Sequence, residues 1–145
     1  MIEIGPLLPA DRQRWTELWR TYLDFYDTTL SPEIFEHSWT RILTGEELRG
    51  LAARENGEIL GITHFLRHSS AWTLQPVVYL QDLFTDEAYR GRGVARALIE
   101  AVAQEARSGG STRMYWLTQS HNTTARTLYD RLAKHTGFIR YEYPL

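Results

Sequence analysis

Tyr79-Leu80-Gln81-Asp82-Leu83-Phe84-Thr85-Asp86-Glu87-Ala88-Tyr89-Arg90-Gly91-Arg92-Gly93-Val94-Ala95 joins an apolar run to a glycine-rich turn and then to a helical pattern. Val77 to Phe84 reads as a central strand with members buried on both faces, entered at Pro76. After the turn, Val94, Ala97, Leu98, Ala101, Val102 and Ala106 recur at the spacing of a helix packed on a sheet, and Ser108-Gly109-Gly110 stops it. A strand that runs through glycines into a helix gathers free backbone N–H groups where the positive end of the helix dipole points. Such a turn can cradle an anion: glycine permits tight turns and close approach, and Arg90 and Arg92 offer planar charged donors. A plain strand-to-helix turn has the same pattern. A Walker loop would need a Lys-Ser/Thr end, and a dinucleotide turn would need GxGxxG near the first strand; neither is present.

Upstream, Ile2, Ile4 and Leu7 suggest a first strand, after which Asp11 can cap a helix carrying Trp15, Leu18, Trp19, Tyr22, Leu23 and Tyr26. Ser31-Pro32-Glu33 supplies a cap, a proline at the first helical position and an acid in the first turn of a second helix that stops near Gly45. The aromatic stripe of these helices, Trp15, Trp19, Tyr22, Phe25, Tyr26, Phe35 and Trp39, either packs on the sheet or walls a groove. Leu48–Arg54 and Ile59–Leu66 read as antiparallel strands joined through Asn56-Gly57. Downstream, the spacing predicts a strand over Met114–Thr118, a helix from Asn122 to about His135 and a last strand over Phe138–Tyr143. The order predicts an α/β fold: a mixed, mostly antiparallel sheet with helices on both faces.

With 145 residues the chain is expected to be a single domain, residues 1–145. Sixteen Lys plus Arg against eighteen Asp plus Glu leave a formal charge of -2, which gives no general attraction to nucleic acid or an anionic membrane. Residues 1–48 carry nine acids and four arginines, whereas 73–145 carry seven acids and nine bases, so an acidic surface is expected beside an anion-binding one. Cysteine is absent, which excludes disulfides and thiol catalysis. His64, His68, His121 and His135 show no metal-binding spacing, so no metal is expected, and His37 is placed on a helix surface. With no basic leader and no apolar run of membrane length, a cytoplasmic protein is expected.

Residues 79–95 resemble the signature of the Gcn5-related N-acetyltransferase (GNAT) superfamily, whose Arg/Gln-x-x-Gly-x-Gly/Ala element is met by Arg90, Gly93 and Ala95. Asn122-Thr123-Thr124-Ala125-Arg126-Thr127-Leu128-Tyr129, followed by Gly137-Phe138, resembles the family's Asn-x-x-Ala-x-x-Leu-Tyr element and Gly-Phe turn. The likeness spans Leu51 to Tyr143 and is closest to the histone, polyamine and free-amino-acid acetyltransferase branch. It implies acetyl-CoA as cosubstrate, wedged where the fourth and fifth strands splay apart. Its pyrophosphate would lie on Arg90, Gly91, Arg92, Gly93, Val94 and Ala95, and Asn122 would contact it near the pantetheine arm.

The same resemblance makes Tyr129 the general acid that protonates the departing thiolate, and gives a backbone N–H of Leu83 or Phe84 the task of polarising the thioester carbonyl. Asn122 and Tyr129, seven residues apart, can share one face of a helix. Polyamine-type relatives place a Glu at the position of Gln81, which cannot serve as a carboxylate base. Asp82, Tyr26, His64 or a water chain can replace it, with Asp82 first because it alone is anionic on the central strand. Gln81 and Asp82 can face one cleft only across a bulge.

Tyr22, Asp24, Tyr26, Asp27 and Gln81 are the candidate acceptor-binding residues. Asp24 and Asp27, with Glu33 and Glu36, either gather a cationic amine or solvate helix faces. The acceptor is expected to be a primary amine on a small cationic or amino-acid-like molecule, with a protein lysine or N-terminus as the alternative enzymatic reading. A non-catalytic acyl-CoA sensor is the alternative of a different class. A homodimer paired through the Phe138–Tyr143 strand is also expected.

Overall fold

A computed structural model describes residues 1–145. Its elements follow the order β1 (Glu3–Pro6), α1 (Arg12–Phe25), α2 (Pro32–Thr44), β2 (Leu48–Glu55), β3 (Glu58–His68), β4 (Val77–Thr85), α3 (Val94–Ser108), β5 (Met114–Tyr115) and α4 (Thr123–Leu132). The strands form one mixed sheet in the order β1-β2-β3-β4-β5, antiparallel except for the parallel β4–β5 pair. A parallel pair requires a crossover, and α3 supplies it.

Local signals account for most boundaries. The Ser31 hydroxyl accepts from the Ile34 N–H at 3.4 Å, Pro32 opens α2, and Gly45 closes it in the left-handed region. Asn56 and Gly57, both at positive φ, turn β2 into β3. Asp11 departs from its expected role: its carboxylate accepts from the Leu8 N–H at 2.7 Å and pairs with Arg54, so the start of α1 has no side-chain cap.

Two apolar clusters cover the two faces of the sheet. Trp15, Leu18, Trp39 and Ile42 of α1 and α2 pack on Ala52, Ile59, Ile62 and Phe84. On the other face Val94, Leu98, Ile99, Val102 and Ala106 of α3 pack on Leu51, Leu60, Phe65, Val78 and Leu80. Leu98 and Val102 are fully buried, and each aliphatic side chain so covered contributes about 1.5–3 kcal/mol. The close approach of α3 depends on Gly61, where a Cβ would lie 2.8 Å from Phe84 O and 2.8 Å from Val94 Cγ1. The aromatic stripe thus divides: Trp15 and Trp39 are core, whereas Phe25 and Tyr26 stand exposed at the end of α1.

Three expectations are corrected. β5 is two residues long and does not extend to Thr118, and α4 ends at Leu132, short of His135. Phe138–Tyr143 forms no strand, and Phe138 and Tyr141 are 88% and 86% exposed. Alternation and β-propensity alone make no strand without a ladder to join, and β5 offers only two residues of edge. No helix is long and apolar enough to cross a membrane.

Candidate active site

β4 carries the geometry on which the site is built. Its register against β3 pairs His64 with Asp82 and Phe65 with Leu80, leaving Gln81 without a partner. This is a β-bulge. Before it, Val78 and Leu80 point to the α3 side; after it, Asp82 and Phe84 point to the α1 side. Alternation from Leu80 places Gln81 on the α1 side too, so Gln81 and Asp82 follow one another on a single face. Gln81 is exposed and Asp82 half-buried.

β5 pairs with β4 only at Val78↔Met114 and Tyr79↔Tyr115. From Leu80 onward the outer edge of β4 has no strand beside it, which is the expected parting of the parallel strands. The Asp86 N–H donates to Leu60 O at 2.9 Å on β3. Counting back along the ladder, Phe84 opposite Ile62 turns its N–H toward β3, and Leu83 turns its N–H toward the opening. Of the two donors the sequence offers, Leu83 is the one aimed outward.

Aromatic groups surround this opening. The Tyr129 ring packs edge-on against Trp116 at 5.4 Å between centroids, and burial, followed by the nearby Tyr26, raises its phenol above the ordinary tyrosine pKa. Tyr22 packs edge-on against Phe84 at 6.0 Å and against Tyr26 at 5.0 Å. Burial first, then the Asp82 carboxylate and Tyr26, pushes the Tyr22 phenol strongly upward. Both phenols therefore hold their protons at neutral pH. Tyr26 packs on Tyr22, which neighbours the Asp82 carboxylate, and it also lies near Tyr129.

The Asp82 carboxylate lies 3.0 Å from His64 Nδ1, and His64 Nε2 receives the Trp15 indole N–H at 2.9 Å. The Thr63 hydroxyl donates to Asp82 O at 2.7 Å, which anchors the bulge.

At the end of β4, Asp86 accepts from the Ala88 N–H at 3.0 Å and from Arg14 at 2.6 Å, and Arg14 holds its carboxyl below the usual range. The chain then passes through Gly91 and Gly93, both at positive φ, into α3. Gly93 is the N-cap of α3 with no side-chain cap, and a Cβ on either glycine would meet nothing within 4 Å. Open space thus lies before uncapped helical N–H groups, a donor set that suits a diphosphate. Val94 contributes only its backbone there, since its side chain is core. Arg90 is exposed and makes no ion pair, whereas Arg92 pairs with Glu55 and lies over the Tyr89 ring at 5.8 Å.

Asn122 stands half-buried at the start of α4, its side-chain amide donating to Thr118 Oγ1 at 3.3 Å. Asp24 does not join the cluster. Two residues on a helix are separated by about 200°, so it faces away from Tyr22 and lines a groove between α1 and α2 with Arg12, Arg20 and Phe35. Asp27 is exposed beyond the end of α1 at positive φ. No group of three or more His, Asp or Glu side chains is placed to hold a metal ion.

Sequence reasoning placed His64 among the candidate bases but missed the indole and carboxylate that flank it, and missed Arg14 altogether. A histidine within an apolar strand beside a strand bearing one carboxylate was the available signal for the first. Arg14 gave none.

Residues 12–133 match the acetyltransferase (GNAT) family. The chain is 33% identical over 144 residues to a D-amino-acid N-acetyltransferase of Saccharomyces cerevisiae, covering 97% of this chain and 89% of that protein. An L-ornithine N5-acetyltransferase of Arabidopsis thaliana is 27% identical over 51% of this chain and 32% of its own length. The fold is shared with AAC(6')-Iy, solved in complex with a bisubstrate analogue, at a TM-score of 0.86 with 20% identity over 100% of this chain and 99% of that one. The chain belongs to the GNAT family and is an acetyltransferase.

Proposed function

We propose that this enzyme moves the acetyl group of acetyl-CoA to the primary amine of a small cationic or amino-acid-like acceptor, by direct attack. The observation that supports the reading is Tyr26, which packs on Tyr22, itself beside the Asp82 carboxylate, and lies near the half-buried, protonated Tyr129. In this reading the carboxylate takes a proton and the phenol gives one at the same opening. The small acceptor is supported by the D-amino-acid N-acetyltransferase, which this chain matches over nearly its full length.

In this mechanism the α3 N-terminal N–H groups and Arg90 hold the diphosphate, and Asn122 lies along the pantetheine arm. Acetyl-CoA supplies the activated acyl group when bound. Leu83 directs its N–H at the thioester oxygen, where charge develops as the amine attacks. Asp82 takes one proton from the amine nitrogen, directly or through water, while Tyr129 gives one to the sulfur. One C–N bond forms, one C–S bond breaks, and the proton count balances across the two residues. Tyr22, Tyr26 and Gln81 line the acceptor side.

The test is thiol release from acetyl-CoA across a panel of D- and L-amino acids, diamines and a lysine peptide. Turnover with a small amine in preference to the peptide is the expected result. Turnover with the peptide alone would replace the small acceptor by a protein, and binding of acetyl-CoA with no acceleration by any amine would overturn the reading.

A further inference from the structure

Among the polar groups of the apolar interior, one chain of hydrogen bonds leads out of the α1–α2 core to the bulge of β4. His64 is 2% exposed and Trp15 is 1% exposed. An indole N–H can only donate, so His64 Nε2, 2.9 Å from Trp15 Nε1, must accept and carries no proton. The proton of the imidazole is then on Nδ1, and it is donated to Asp82 Oδ2 at 3.0 Å. The direction of every bond is fixed by its first donor. Trp15 is itself immobilised by ring contacts with Trp39 at 5.0 Å and Phe35 at 6.1 Å, and Trp19 packs edge-on to His64 at 4.9 Å. The imidazole therefore has no freedom to flip or to exchange its tautomer.

We infer that Trp15 and His64 are positioning residues for Asp82: the indole fixes the Nδ1–H tautomer of His64, and that N–H holds one carboxylate oxygen so that the other faces the incoming amine. The inference rests on the proposed role of Asp82 as proton acceptor. The bulge explains why such an anchor is needed. Gln81 interrupts the ladder beside Asp82, so backbone pairing alone does not define where this side chain points. The charged and titratable groups facing the network are Asp82 and Tyr79 from β4 and Tyr22 from α1, with Tyr26 packed on Tyr22; Trp15 and Trp19 are uncharged. Asp82 thus stands between a fixed donor behind it and tyrosines in front.

Two measurements on the full chain test this. In protein labelled with 15N-histidine, long-range 1H–15N correlation should show His64, identified by its through-space contacts with the Trp15 and Trp19 rings, with a protonated Nδ1 and a bare Nε2, and Trp15→Phe should convert it to a mixture of tautomers. In thiol-release kinetics, Trp15→Phe and His64→Leu should lower kcat by about 10-fold or more with the acetyl-CoA KM kept within about twofold, as for a misplaced reacting group. His64→Asn, whose amide can supply a donor near Nδ1, should recover much of that loss.

A bare Nδ1 on His64 in the wild-type spectrum would overturn the inference without any variant needing to fold. It would also be overturned if Asp82→Asn abolished turnover while the Trp15 and His64 variants kept it. If Asp82→Asn itself kept full turnover, the role of Asp82 would fail, and with it the reason for the anchor, even where the tautomer is as stated.

Discussion

Leu80 and Leu83 lie three residues apart on β4 yet pack against the same α3 cluster, a separation that regular alternation forbids. The residue that reconciles them is Gln81, left unpaired opposite β3. Because of it the strand serves the α3 core before the bulge and presents Asp82 and Phe84 to α1 after it.

Deleting Gln81 should therefore leave Leu80 and Leu83 on the α3 side and Asp82 and Phe84 on the α1 side, because removing the one extra residue restores alternation around the faces these side chains already occupy. The fold should accept the deletion at a cost of about 1–3 kcal/mol for closing the ladder. Gln81→Ala, at an exposed position, should stay within about 0.5 kcal/mol of wild type. Urea unfolding midpoints of the two proteins check this.

Gly61 and Gly93 should respond to alanine for different reasons. At Gly61 the new Cβ meets backbone and a buried side chain at 2.8 Å, so Gly61→Ala should lose about 1–3 kcal/mol by overpacking. At Gly93 nothing obstructs a Cβ, and the cost is the left-handed φ of 82°, about 1–2 kcal/mol. Only Gly93→Ala should also raise the acetyl-CoA KM, since it alone lies in the proposed cradle. Thermal melts and acetyl-CoA titration separate the two effects.

The sequence revealed more of the fold than of the site. Ser31-Pro32, Asn56-Gly57 and the periodicity of Val94–Ala106 act within a few residues, and each signal lies where its element begins, turns or packs. The bulge depends on how β4 registers against β3 across the Ser69–Pro76 connection, and no local pattern encodes that register. Leu83 could be separated from Phe84 only after the ladder was known. Phe138–Tyr143 failed for the complementary reason: its alternation was legible, but a strand needs a neighbour, and β5 is too short to be one.

The Arg14–Asp86 pair should be felt in acid. Arg14 holds the Asp86 carboxyl below its ordinary value, so the charged form is favoured by folding. Its contribution is fully present above the unfolded pKa of about 3.9 and is lost as pH falls through the lower folded value. Asp86→Asn should lower Tm at neutral pH and flatten its decline below pH about 4. An unchanged acid limb would remove the pair from the account.

Tyr129 should act at the other end of the scale. Burial raises its phenol, so its contribution to stability is intact below the unfolded pKa of about 10 and declines as pH rises toward the folded value. With Tyr129 as proton donor, kcat should show no basic limb of its own below about pH 10. A limb near pH 8–9 that vanished in Tyr129→Phe would contradict the protonation state assigned to it.

The most direct measurement is steady-state thiol release by Tyr129→Phe with the preferred amine. The account predicts a fall in kcat of about 10²-fold or more, the scale of a lost proton donor, while the acetyl-CoA KM stays within about twofold. Wild-type kcat in this variant would contradict the role given to the phenol.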